Sequence, residues 1–268
     1  MSGAFLALWN DYPSAMTQEY EAWHSFEHVP ERLTTPGMVS ARRYAAFGDG
    51  MNRYFTLYQL EDLQTVEHPA YLDLVRNPTE WSRRMRRHFS NVLRIPAARC
   101  AGGGRGVGSC ALVLAYSAGT GDARDAIPAL ERGLGAMVED ARILGFQIGL
   151  ATPNQAYEVF TQDRAPDEDT LDVVIVVEGL HRWSLERMRD EVAALIHRCL
   201  RPRQPLREDL LDLIVAFRSN EFPADRRQIP NSSRLFGAEP ARGTALDFAA
   251  KGAEERPPPR DEAARPAG

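Results

Sequence analysis

The chain has 268 residues, of which 44% are hydrophobic and 26% are charged, and its formal net charge is -5. This composition is typical of a globular protein with a substantial core, and the negative charge argues against nucleic acid or an anionic membrane as a partner. The three cysteines lack paired motif spacing, and no uncharged run reaches the roughly 20 residues that span a bilayer. We therefore expect a cytoplasmic protein.

The first 98 residues predict the order strand, helix, strand, strand, helix, strand. The strands fall at residues 4–9, 38–47, 53–61 and 91–95, with one helix from Thr17 and another capped by Asn77. Gly48 and Gly50 mark a hairpin, so the second and third strands should pair antiparallel. This order is that of a ferredoxin-like unit, in which an antiparallel sheet carries its helices on one face.

The same order follows a second time along the chain. Strands are predicted at residues 110–116, 141–150, 171–178 and 210–217, and helices at residues 122–137 and after Ser184. We predict an α+β protein with two tandem ferredoxin-like units, 1–98 and 110–218. Their antiparallel sheets would face each other as an α/β barrel with the helices outside.

Two segments lie outside these units. Residues 99–109 contain the run AGGGRGVG, which we interpret as a linker, because it lacks the lysine of a phosphate-binding loop and a strand follows it. Residues 219–268 contain seven of the 18 prolines and predict an extended, partly disordered tail. Apolar residues would dock part of this tail on the body: Ile229, Leu235, Phe236, Leu246 and Phe248.

The segment from residue 19 to residue 43 concentrates the residues suited to chemistry. Helical spacing predicts one inward face made of Tyr20, Trp23, Phe26, Glu27, Pro30 and Leu33. Pro30 is expected to kink this helix and to push Val29 out of the α region, which would place His28 beside the kink. Pro36 and Gly37 should end the helix.

These residues carry a family resemblance. Trp23, the run HVPE from His28 and the run TPGMVSARRY from Thr35 resemble the W-x4-H-x-P and P-G signatures of EthD-like proteins, in the dimeric α/β-barrel superfamily. The resemblance implies a barrel that is usually built by a homodimer and is built here within one chain. It also implies relatives such as polyketide cyclases and dehydratases, lactone isomerases, haem-dependent enzymes and heme-degrading or quinol-forming monooxygenases.

The resemblance and the residue types suggest catalytic roles. His28 would be a general acid/base, because an imidazole titrates near neutral pH. Glu27 and Glu31 would orient it or act as bases, and Arg43 would stabilise an enolate oxygen. Each of these residues also has a purely structural explanation. His28 could simply bond the carbonyls at a helix end, the glutamates could be solvated, and Arg43 could be exposed on a strand. The predicted substrate-binding residues are Trp9, Tyr12, Trp23, His24, Tyr44, Tyr58 and Trp81.

The predicted function is that of a cofactor-independent lyase or isomerase acting on a small aromatic or polyketide-like molecule. One alternative is a non-catalytic barrel that binds a small molecule or a partner, and another is a haem-dependent or heme-degrading monooxygenase-like enzyme. His24 and His28 also spell the H-x-x-E-H order of a zinc site, but no third ligand helix follows. No metal and no cofactor are therefore predicted, and the expected assembly is a homodimer.

Overall fold

The computed structural model describes residues 3–151 and 169–229, which all belong to one compact unit. The strands are β1 (Ala4–Pro13), β2 (Met38–Ala46), β3 (Met51–Leu60), β4 (Ser90–Gly104), β5 (Cys110–Gly119), β6 (Gly145–Ala151), β7 (Thr170–Gly179) and β8 (Gln204–Arg218). The helices are α1 (Thr17–Trp23), α2 (Val29–Leu33), α3 (Pro69–Arg76), α4 (Glu80–Arg86), α5 (Thr120–Glu139) and α6 (Arg182–Leu200). A π turn, His24–His28, joins α1 to α2.

The eight strands close into one antiparallel barrel in the order β1-β3-β2-β8-β5-β7-β6-β4. The first half contributes β4-β1-β3-β2 and the second half β8-β5-β7-β6, and both runs show the strand order of a ferredoxin-like unit. The pairs β2–β8 and β4–β6 join the halves. The predicted fold, an antiparallel α/β barrel with helices outside, is confirmed, as is the antiparallel pairing of β2 with β3.

Alternation along the strands separates two kinds of core. Phe5, Ala7 and Trp9 of β1 point into the barrel lumen and pack with apolar residues from both halves. Leu6 and the other residues of the opposite parity face the helices. Tyr54 and Tyr58 share the helix-facing side of β3. Each half therefore has a second core between its outer sheet face and its helices.

The glycine-rich segment predicted as a linker is partly strand. β4 runs to Gly104, and its last residues pair with β6 from Gly145 onward. The φ of Gly104 is +95°, and a Cβ atom on this residue would lie 2.3 Å from the Gly145 Cα. The glycines therefore permit close strand pairing. The boundaries at residues 99 and 109 stay a prediction.

Other element bounds also differ from the predictions. Helix α3 was not predicted, and α4 is capped by Thr79, whose side chain accepts a hydrogen bond from the Ser82 backbone N–H, rather than by Asn77. Helix α6 begins at Arg182, so Ser184 lies inside it. β6 begins at Gly145 because the residues before it form the turn after α5.

The described start of the predicted tail is docked. Phe222 packs edge to face against Phe217, and Ile229 is buried. Arg226 donates a hydrogen bond to Asp73 Oδ2 at 2.9 Å and lies 3.6 Å from Glu31 Oε1. The other predicted docking residues lie outside the described residues: Leu235, Phe236, Leu246 and Phe248.

Candidate active site

The two halves differ in what fills the space between sheet and helices. In the second half this space is aliphatic, lined by residues such as Leu112, Val173 and Leu195. In the first half it is aromatic and polar, and we call it the histidine layer: Asn10, Tyr20, Trp23, His24, His28, Arg43 and Tyr54, all buried. Because buried polar groups are costly unless they are paired or functional, the first half holds the candidate site.

The π turn presents two histidines on one side of the helix. The Val29 backbone N–H bonds to the His24 carbonyl, five residues back, so this turn is wider than an α turn. The rings of His24 and His28 lie side by side, with centroids 4.9 Å apart. Val29 keeps an α conformation, with φ -71° and ψ -46°, so the prediction that Pro30 pushes it out of the α region is wrong. The wide turn carries the chain into Pro30, and it leaves Phe26 65% exposed instead of inward.

Both histidines are held neutral. Burial, followed by the positive charge of Arg43, lowers the pKa of His24 well below its ordinary value of 6.5. Burial and then Arg32 lower the pKa of His28 in the same way. Among the described residues, neither His24 nitrogen has a hydrogen-bond partner, and His28 Nδ1 has none. A neutral imidazole carries one donor and one acceptor, so His24 is available for both kinds of contact.

Arg43, a predicted catalytic residue, is not the exposed strand arginine of the alternative explanation. It is 1% exposed, because β2 is an inner strand that pairs with both β3 and β8. Its Nη1 donates to Glu21 Oε2 at 2.9 Å and to Ser25 Oγ at 2.5 Å. The guanidinium carbon lies 5.6 Å from the centre of the Tyr20 ring. Within the described residues, Arg43 Nε and Nη2 have no partner.

The two glutamates predicted to assist His28 have other partners. Glu27 Oε1 accepts hydrogen bonds from Thr79 Oγ1 at 2.5 Å and from Ser82 Oγ at 3.2 Å, and so ties the π turn to α4. Glu31 lies beside Arg226, and burial raises its pKa. These contacts favour anchoring roles for both carboxylates.

The predicted aromatic wall is divided between two faces of the sheet. Trp9 and Tyr44 point into the lumen, where Trp9 packs on Phe55 with ring centroids 4.6 Å apart. They alternate along their strands with Asn10 and Arg43, which face the helices, so they do not line the histidine layer. The helix side receives the remaining members of the predicted wall: Tyr12, Trp23, Tyr58 and Trp81.

Sequence reasoning missed Asn10 as a site residue. Tyr20 Oη donates to Asn10 Oδ1 at 3.2 Å, while Asn10 Nδ2 is buried without a partner among the described residues. Tyr54 was also missed; its ring centroid lies 4.4 Å from that of Tyr20. The available signal was strand parity, because Asn10 precedes the lumen residue Asp11 and shares its side of β1 with Tyr12.

Neither of two large cavities in the described residues borders His24 or His28. One of about 600 Å³ opens at the barrel mouth, and one of about 570 Å³ lies on the surface beside Leu180 and Trp183. In the described ranges, no three or more His, Cys, Asp or Glu residues are placed to hold a metal ion. No helix within them is long and apolar enough to span a membrane.

The architecture defines this chain as a protein of the dimeric α/β-barrel fold, with the barrel built within one chain. An anthrone oxidase-like protein is 9% identical with a TM-score of 0.57, over 80% of this chain and 93% of that one. A Lactobacillus acidophilus NCFM protein, provisionally described as a monooxygenase, is 9% identical with a TM-score of 0.50, over 82% and 97%. At this identity the likeness shows the fold alone. No protein-family model and no curated protein sequence matches the chain.

Proposed function

We propose that this protein is an enzyme that transfers protons on a small oxygenated aromatic molecule bound in the histidine layer. A cofactor-independent lyase or isomerase is the reaction class that this layer supports best. The observation that carries the proposal is a set of buried side chains around Tyr20, each with at least one polar atom that has no partner in the described part of the chain: Asn10, His24 and Arg43.

The unpartnered atoms of this set are mostly donors. Three of them are N–H donors: Asn10 Nδ2, Arg43 Nε and Arg43 Nη2. Within the described residues, Glu21 Oε1 is the one buried carboxylate oxygen without a partner. An unsatisfied buried donor costs about 1–3 kcal/mol, which a bound acceptor would recover. The layer therefore suits a ligand that brings oxygen acceptors, such as a carbonyl or a phenolate.

The aromatic residues suit the body of the same ligand. Tyr20, Trp23 and Tyr54 are buried in contact with one another, with centroids 6.0 Å apart for Tyr20 and Trp23. Ring faces of this kind favour offset or edge contacts with another aromatic ring. His28 is buried, but at 6% it is the most exposed member of the layer, so we take its side as the one from which a ligand would enter. Entry of a ligand requires the side chains there to move.

The proposed step begins with a neutral histidine. An imidazole of the His24–His28 pair takes a proton from an acidic C–H next to a carbonyl, and the C–H electron pair moves onto the carbonyl oxygen. Arg43 stabilises the resulting enolate. The protonated histidine then returns the proton to another carbon, which completes an isomerisation, or to a departing hydroxyl, which leaves as water. His28 would exchange the proton with solvent.

A second candidate function starts from the same enolate. The structural neighbours are named for oxidase and monooxygenase activities, and molecular oxygen is the co-reactant that such a reaction would consume. The non-catalytic binding barrel and the haem-dependent alternative remain further candidates. The EthD-like family, the homodimer and the cytoplasmic location stay predictions.

The proton step can be tested without knowing the natural substrate. Anthrone and a panel of hydroxylated aromatic ketones are incubated with the protein in D₂O under nitrogen, and loss of the acidic C–H signal is followed by NMR. We expect the parent to accelerate exchange for at least one of them. His24→Gln and His28→Gln should slow it by about 100-fold or more, and Arg43→Gln by a similar factor. His197→Gln, at an exposed position on α6, is the matched control.

Binding is measured in parallel by quenching of tryptophan fluorescence. A double variant of His24 and His28 that exchanges at the parent rate would show that the assignment is wrong. Binding without exchange by the parent across the whole panel would favour the non-catalytic barrel. An oxygen electrode, read after air is admitted, separates isomerisation from oxidation.

A further inference from the structure

The open end of the barrel lumen forms a second cavity, on the other face of the sheet from the histidine layer. Its volume is about 600 Å³, and both halves of the barrel contribute to its walls. Small-molecule sites typically occupy about 300–1,000 Å³. We call it the barrel-mouth site, and the polar residues that matter for its chemistry are Arg42, Gln59, Arg99, Arg105, Gln147 and Glu178.

The buried acid of this site is already compensated. Glu178 accepts hydrogen bonds from Arg42 Nη1 at 2.6 Å and from Tyr44 Oη at 2.8 Å. This group joins β2 of the first half to β7 of the second and forms a fixed polar wall. Arg42 balances the charge of the carboxylate and Tyr44 bonds to its other oxygen, so Glu178 is paired with Arg42 rather than with Arg99 or Arg105.

Arg99 and Arg105 supply the charge that is not compensated. Within the described residues, neither side chain has an ion pair or a hydrogen bond, although both line the cavity. Arg99 is half-buried and extends along the backbone at Gly102, where an added Cβ would lie 2.4 Å from Arg99 Nη2. Glu61, exposed at the rim, is the other acid in the lining. Three arginines against two glutamates leave the cavity positive.

An amide pair offers complementary contacts. Gln59 Nε2 donates to Gln147 Oε1 at 2.9 Å across the mouth, which joins β3 to β6. This bond leaves Gln59 Oε1 as an acceptor and Gln147 Nε2 as a donor, with no partners in the part of the chain that the structure describes. A ligand with both an anionic group and a polar body matches this arrangement.

We propose that the barrel-mouth site binds a small organic oxyanion, a carboxylate or a phosphate, through the guanidinium groups of Arg99 and Arg105, which line the same cavity. Guanidinium groups suit both anions because their planar N–H donors match pairs of oxygens. The polar body of the ligand would contact the Gln59–Gln147 pair. Strand alternation places Arg42 in the lumen and Arg43 in the histidine layer, so this site is independent of the proposed function.

Calorimetric titration of the full chain with inorganic phosphate and, separately, with citrate tests the proposal at low ionic strength. We expect one site per chain for at least one of the two probes. Arg99→Gln and Arg105→Gln should each weaken binding about tenfold or more, because each removes charge-assisted hydrogen bonds. Arg187→Gln, which removes an exposed arginine on α6 away from the cavity, should leave the affinity unchanged.

The two probes distinguish the source of the anion. A response to phosphate alone assigns a phosphate ligand, and a response to citrate alone assigns a carboxylate. Both arginines are at least partly exposed and unpaired, so the variants should fold, which circular dichroism would verify. Binding of neither probe at millimolar concentration would overturn the proposal, as would binding that the Arg99 and Arg105 variants leave intact.

Discussion

The buried histidines should make this protein sensitive to mild acid. In the folded chain the pKa values of His24 and His28 lie well below 6.5, whereas an unfolded chain restores that ordinary value. As pH falls through 6.5, the unfolded state takes up protons that the folded state does not. The free energy of unfolding is therefore fully present above this pH and decreases below it.

The magnitude follows from proton linkage. Between about pH 7.5 and about pH 5.5, a histidine that stays neutral in the folded state costs about 1.4 kcal/mol of stability, and two cost about 2.7 kcal/mol. That is a large part of the typical stability of about 5–15 kcal/mol. Burial raises the pKa of Glu31 and of Asp209, so these two groups make the free energy of unfolding increase as pH falls. This opposite effect is the same in the parent and in the variants.

The assay is urea denaturation at both pH values, with the difference between variant and parent as the readout. His24→Phe keeps a ring in the stack with Tyr20 and Trp23 but cannot titrate, so it should remove about 1.4 kcal/mol of the acid loss. The double variant with His28→Phe should remove about twice as much. His197→Gln, on the surface of α6, controls for the loss of a histidine as such. An acid loss in His24→Phe equal to that of the parent would refute the reasoning.

Two further predictions concern stability. Glu27→Ala should lower the free energy of unfolding by about 2–4 kcal/mol, as measured by chemical denaturation. The substitution leaves two hydroxyl donors without their buried acceptor and opens a gap between the π turn and α4. A loss below about 0.5 kcal/mol would contradict the anchoring role. Gly104→Ala should be more destabilising than Gly106→Ala by thermal melting: both have positive φ, but only the Gly104 Cβ would meet backbone atoms, at 2.3 Å. Equal losses would show that strand contact is not the cause.

Much of the fold was predictable because its signals are local. Alternation along β3, which puts Tyr54 and Tyr58 on one face, follows from residues next to one another in the chain. The repeated order of strands and helices indicated two similar halves, and an antiparallel barrel follows when two such sheets face each other. His24, His28 and Arg43 could also be named as candidate site residues, because they fall in one short segment with a recognisable spacing.

The tertiary structure decided which face each residue occupies. The two-residue alternation of a strand places Trp9 and Asn10 on opposite sides of β1. Only the pairing around the closed barrel shows that Trp9 is in the lumen and that Asn10 lies under the helices. In the same way, the wide π turn moves Phe26 out to solvent, an effect of one additional residue in a turn that helical spacing does not predict.

The long-range partners also lay beyond the sequence. Glu27 meets Thr79 across more than fifty residues, and Tyr44 meets Glu178 of the other half, so neither contact leaves a local pattern. The sequence by itself determined the order of the elements, the parity of side chains along each strand and the segment that holds the candidate catalytic residues. Closure of the barrel decided which polar groups are paired and which are buried without a partner, because that depends on strands and helices distant in the chain.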